Sequence, residues 1–219
     1  MTVTSPGDRR PLASRDTQWA HALAGFLARR GASPNGISLA GLVAGLSGGA
    51  ALAATAINDE WPRRLCWLAG AACIQLRLLA NLLDGMVAVA TGRTSRVGEL
   101  FNEVPDRLSD AATLVGLGYA AGGCPELGYV AALFAMLVAY IRAVGKAAGA
   151  PNIFVGPMAK PHRMALVTIT AVVCAALPPD WLERYHPGAW ALGVVIAGAA
   201  LTAVRRLRRI AAHLRDPAS

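Results

Sequence analysis

The sequence predicts an all-α integral membrane protein, with six transmembrane helices preceded by an amphipathic N-terminal helix at the membrane interface. Three observations lead there. The 219 residues are 55% hydrophobic with a mean hydropathy of +0.44. Residues 36–57 form a run of 22 without a charge, about 33 Å of helix at 1.5 Å per residue, which matches the hydrocarbon thickness of a bilayer. Finally, the basic residues alternate along the chain. Sixteen of the 21 Lys and Arg fall in five regions: the first 35 residues, Arg93 and Arg96, Arg142 and Lys146, Lys160 and Arg163, and 205–215. Only Arg63, Arg64 and Arg184 lie in the intervening loops, with Arg77 and Arg107 inside helices. This is the positive-inside pattern of a multi-pass inner-membrane protein with both termini in the cytoplasm. It accounts for the net charge of +8 without a nucleic-acid partner.

The chain divides into a cytoplasmic N-terminal segment (1–32), a six-helix membrane domain (33–205) and a basic tail (206–219). Residues 1–13 are polar, with Pro6, Gly7 and Pro11, and carry no apolar stretch resembling a secretory leader. Over 14–30, Trp19, Leu23, Phe26 and Leu27 share one helical face with Arg15, His21, Arg29 and Arg30 around it. That is a helix lying on the inner membrane surface, or an amphipathic helix packed on the bundle. Ser33-Pro34-Asn35 then starts the first span, where proline suits a helix beginning. Its glycines and alanines let neighbouring helices approach closely.

The second span, 65–91, is longer than a bilayer requires and projects from it. The third covers 98–121, the fourth 127–145, the fifth 164–177 and the sixth 189–204. An outer loop at 178–188 holds Trp181 and Tyr185, aromatics suited to the interface. The basic tail is a helical end at the inner leaflet, a topology anchor or an attractor of anionic lipid. The four cysteines, scattered without a CxxC pair, read as small apolar packing residues.

Residues 81–110 carry carboxylates and amides where an ionisable group costs at least about 2.5 kcal/mol, so a functional site is the default reading. Asn81 and Asp84 are three apart, and Asn102, Asp106 and Asp110 are four apart, so each set shares a helix face. Two helices facing each other with oxygen donors make a seat for a hard divalent cation. Glu103 and Arg107 pair on the flank.

This stretch resembles the CDP-alcohol phosphotransferase (CDP-alcohol phosphatidyltransferase) family. The family pattern is Asp, two residues, Asp-Gly, two residues, Ala-Arg, eight residues, Gly, three residues, Asp, three residues, Asp. Every spacing is kept here. Asp84, Gly85, Ala88, Gly98 and Asp106 match; Asn81 and Asn102 replace the first and third aspartates, and Val89 replaces the arginine. The resemblance implies transfer of a phosphatidyl-type group from CDP-diacylglycerol to a small alcohol, with or without a phosphate of its own, and release of CMP in phospholipid biosynthesis. It also implies Mg²⁺ or Mn²⁺ as one or two ions, membrane lipids as surroundings, and a homodimer.

By resemblance, Asp106 is the base that takes the alcohol's proton, and Asn81, Asp84, Asn102 and Asp106 are the metal ligands. Asp84, Gly85, Ala88 and Gly98 hold the CDP moiety, with Arg93 as a substitute for the arginine missing at 89. Glu99 and Asp110 are candidates to replace the charge lost at 81 and 102. Arg142, Lys160, His162 and Arg163 converge on the same side and suit an acceptor phosphate, or serve topology alone. A non-catalytic CDP-lipid binder that recruits partner enzymes is the alternative, and a transporter a third reading, disfavoured by few polar groups in the outer half of the spans.

Overall fold

A computed structural model describes residues 17–92 and 96–215, apart from the side chains of Arg96, Val97 and Glu99. Among the described residues eight helices follow in order: α1 Gln18–Arg29, α2 Pro34–Ala54, α3 Glu60–Ala90, α4 Arg96–Tyr119, α5 Pro125–Ala147, α6 Lys160–Ala176, α7 Pro179–Tyr185 and α8 Pro187–Arg215. Four of them, α2, α3, α5 and α8, are long and apolar enough to cross a membrane. At 17 residues α6 is shorter, and α4 carries the ionisable residues of the polar stretch.

Local chemistry explains half of the helix starts. Ser33 caps α2, its Oγ accepting from Gly36 N at 3.0 Å with Pro34 in the first turn. Proline also opens α5, α7 and α8. The stretch expected as a plain outer loop contains the short helix α7, which leaves Trp181 and Tyr185 half exposed and packed on each other. The final helix continues without a break through 205–215, across the point where the sequence suggests a separate tail. Arg206 explains why: it is buried, with Nε donating to Val155 O at 3.1 Å and Nη1 to Val138 O at 2.9 Å.

The main core runs through the bundle, from Leu52, Trp67 and Ile74 past Leu114, Leu117 and Val138 to Val167, Leu192 and Val195. A smaller cluster joins α1 to α3, where Ala24, Leu23 and Leu27 meet Leu83 and Val87. Of the two readings of the N-terminal helix, packing on the bundle is what these contacts describe, while Trp19 and Phe26 stay exposed on its outer side. Cys174 is buried and the other cysteines are half-buried, all four as free thiols.

Ser38 and the glycines at 41, 45, 48 and 49 of α2 face inward. A Cβ on Gly49 would stand 2.3 Å from Ala112 O, and one on Gly116 would stand 2.2 Å from Gly49 O, so the backbones of α2 and α4 touch. Gly45 makes room for Ser109, and Gly41 for Arg77. These glycine faces are closed against each other within one chain.

The packing predicts an asymmetry among glycines. Gly49→Val should destabilise the protein by about 1–3 kcal/mol through overpacking, whereas Gly193→Ala, with nothing within 4 Å of its added carbon, should leave the thermal midpoint in detergent unchanged.

Candidate active site

The polar residues of α3 recur at helical spacing, so Arg77, Asn81 and Asp84 line one stripe facing α2 and α4. Asp84 is buried and held in place by short hydrogen bonds: Oδ2 accepts from Ser38 Oγ of α2 at 2.6 Å, and Oδ1 from Gly85 N at 2.6 Å. On α4, Pro105 precedes Asp106 and cannot donate to the preceding turn. Asp106 is the meeting point of the site. Its Oδ1 accepts from Arg77 Nη2 at 3.0 Å, from Asn81 Nδ2 at 3.0 Å and from Lys160 Nζ. Its Oδ2 faces Arg107 Nη2 at 3.3 Å. Asp84 lies on the same α3 stripe as Arg77 and Asn81, and both of those donate to Asp106 of α4, so the stripe that carries Asp84 faces Asp106.

Around this centre the cations are paired. Arg163 is 1% exposed; its Nη2 donates to Asp110 Oδ2 at 2.7 Å and its Nη1 to Met158 O at 3.0 Å. Lys160 also lies 3.6 Å from Asp110 Oδ1. At the rim, Glu103 accepts from Arg107 at 2.9 Å, the pair read from the sequence, and also from Arg142 at 2.7 Å, whose guanidinium lies over Phe154.

The site residues read from the sequence thus separate into groups. Asn81, Asp84, Asp106, Asp110, Lys160 and Arg163 come together, with Arg142 one step outside through Glu103. Asn102 is half-buried one turn before Asp106, and Ala88 and Gly98 are half-buried. An added carbon at Gly85 would meet nothing within 4 Å, so the backbone beside Asp84 is open to a ligand. His162 is exposed, and Val89 is 57% exposed. Arg93 and the Glu99 side chain lie outside the described residues.

Three contributors lie outside the expected set of site residues: Ser38, Ser109 and Arg77, the last of which helical spacing puts on one stripe with Asn81, Asp84 and Ala88. Arg77 is 3% exposed and donates Nε to Ser109 Oγ at 3.0 Å besides its bond to Asp106. Its signal was present, since an arginine in mid-span one turn before Asn81 needs a counter-charge. Ser38 and Ser109 carried no signal, because serines in membrane helices commonly bond to their own backbone. Both do so here as well, to Pro34 O and Pro105 O.

No family model matches the chain. It is 32% identical over 155 residues to the phosphatidylinositol phosphate synthase of Streptomyces avermitilis, covering 68% of this chain and 59% of the length of that protein. To the enzyme of the same name from Mycolicibacterium smegmatis it is 31% identical over 188 residues, covering 82% of this chain and 79% of that protein. The chain belongs to the CDP-alcohol phosphatidyltransferase family. Its fold is that of the Mycobacterium tuberculosis phosphatidylinositol phosphate synthase. With CDP-DAG bound, that structure superposes with a TM-score of 0.71 at 22% identity, over 89% of this chain and 94% of the other. In complex with manganese and citrate the TM-score is 0.70 at 22% identity, over 87% and 88%.

The side chains present here do not fit a two-ion cluster. Two of the four positions are amides, which coordinate without bringing charge. Asn81 turns its amide nitrogen to Asp106, because an ionised carboxylate only accepts. Asp106 Oδ1 already takes three donors. Among the described residues no three His, Cys, Asp or Glu side chains converge. Two buried oxygens without a hydrogen-bond partner speak for a cation, Asn81 Oδ1 and Asp110 Oδ1, but the first is neutral and the second lies 3.6 Å from the Lys160 ammonium.

The Arg163–Asp110 pair gives a stability prediction. Asp110→Asn leaves a buried guanidinium without its counter-charge and should cost about 3–5 kcal/mol. Asp110→Leu combined with Arg163→Met should recover much of that loss in thermal unfolding of the detergent-solubilised protein.

Proposed function

We propose that this chain moves a phosphatidyl-type group from CDP-diacylglycerol to a small phosphorylated alcohol and releases CMP. In this reading α4 and α6 join the four long apolar helices to make six spans, shielded by them so that polar residues face the bundle interior. Both termini and the aspartate cluster face the cytoplasm at the inner membrane, and the exposed Trp19 and Phe26 of α1 rest in the interface.

One observation carries the reading: Arg77 and Asn81, on the α3 stripe that holds Asp84, both donate to Asp106 of α4, and the backbone of Gly85 next to Asp84 is open. The names of the curated relatives and the relative solved with CDP-DAG support the donor. The acceptor's hydroxyl oxygen attacks the phosphorus that bears the lipid, the bond from that phosphorus to the bridging oxygen breaks, and CMP leaves with that oxygen. Asp106 receives the hydroxyl proton. Lys160, at the edge of the site on the first turn of α6, meets phosphate charge, with Arg142 behind it at the rim. A phosphorylated polyol as acceptor suits these cations and the relatives' names.

The second reading, a CDP-lipid binder without turnover, is favoured by Asn81 and by the cations already crowding Asp106. Purified protein given labelled CDP-diacylglycerol and a panel of polyols and polyol phosphates separates the two. The transferase releases CMP with at least one acceptor, and Asp84→Ala and Asp106→Ala each lower that release at least ~100-fold. CDP binding with no CMP from any acceptor selects the binder.

A further inference from the structure

We infer that the Arg77 guanidinium takes over the compensation of Asp106 that a divalent ion supplies in a four-aspartate site, so that this chain binds a CDP diphosphate without a metal. The inference rests on the transferase reading only in taking the ligand to be a CDP-linked diphosphate.

Arg77 is built in rather than adventitious. It is 3% exposed, and Gly41 leaves the space it occupies, since a carbon added there would stand 2.6 Å from Nη1. Ser109 accepts its Nε at 3.0 Å, which aims Nη2 at Asp106. The neighbouring exchange matches it. An aspartate at 81 would set a second negative charge against Asp106, whereas Asn81 donates a hydrogen bond to the same oxygen at 3.0 Å. One turn of α3 has lost an anion and the turn before it presents a cation, and both act on one carboxylate.

The charge balance follows. Among the described residues the network holds four carboxylates, Asp84, Glu103, Asp106 and Asp110, against five cations, Arg77, Arg107, Arg142, Lys160 and Arg163. Asp106 already carries two cations, and in a low-dielectric setting that pairing disfavours a dication at this carboxylate and favours a diphosphate beside it. Asp106 carries two cations on one oxygen, and they differ in freedom. Arg77 is enclosed, while the side chain of Lys160 is 12% exposed and sits on a flexible stem. The Lys160 ammonium can therefore move onto the diphosphate while Arg77 keeps Asp106 paired. The bound ligand gains a donor and no buried carboxylate is left uncompensated.

The test uses the full chain in detergent and two probes, Mn²⁺ alone followed by electron paramagnetic resonance and CDP followed by calorimetry. Wild-type protein should leave the free Mn²⁺ signal intact, and its CDP affinity should differ by less than about twofold between EDTA and Mn²⁺ buffers. Arg77→Met with Asn81→Asp and Asn102→Asp should take up Mn²⁺ at least ~10-fold more tightly than wild type and make CDP binding depend on it. Stoichiometric Mn²⁺ uptake by the wild type, or a loss of about tenfold or more in its CDP affinity on adding EDTA, overturns the inference. Both arms on the wild type stand even if the triple variant does not fold. No CDP binding in either buffer would sink the nucleotide reading itself, and the Mn²⁺ arm, which contains no nucleotide, judges the charge replacement separately.

Discussion

The ion pair between Arg77 and Asp106 is the constraint around which this bundle is arranged. A lone charge in a membrane interior costs several kcal/mol, and the cost is offset only when partner, hydrogen bonds and geometry all arrive together. Here they arrive from four helices. Arg77 and Asn81 come from α3, Asp106 and Ser109 from α4, Lys160 from α6, and the space for the guanidinium from Gly41 of α2. Moving any of these helices by a turn would leave at least one buried charge without its partner.

That requirement explains why α2 has so little side-chain volume. Ser38 reaches Asp84 only because the helix carrying it lies close to α3, and α2 lies equally close to α4 through the backbone contact of Gly49 with Gly116. Small residues do for α2 what a metal cluster does in other bundles: they bring two polar helix faces to one depth. The same economy appears where the chain returns to α6. Gly156, at φ +124 and against Thr202 of α8, together with the Met158 N bond to Thr202 Oγ1 at 3.0 Å, sets where α6 starts and hence where Lys160 stands.

The legibility of the site followed the same physics. Asp84, Asp106 and Asp110 could be read because a carboxylate within an apolar segment stands out against its surroundings, and spacing alone assigned them to helix faces. The role of Lys160 and Arg163 was legible only as a convergence of positive charge; that Arg163 closes on Asp110 while His162 faces outward depended on how α6 is rotated. That Asn81 donates its amide nitrogen to Asp106 was not legible, because the bond depends on how α3 and α4 face each other.

The sequence by itself determined the class of fold, the family and the end of the bundle where the chemistry gathers, because hydropathy, charge alternation and motif spacing are one-dimensional properties that survive without coordinates. Tertiary structure alone decided which cation meets which carboxylate. Arg77 and Asp106 are 29 residues apart and Lys160 and Asp106 are 54 apart, and no local rule pairs groups across such distances. Helix rotation and depth, set by glycine contacts and buried apolar residues, made those pairings.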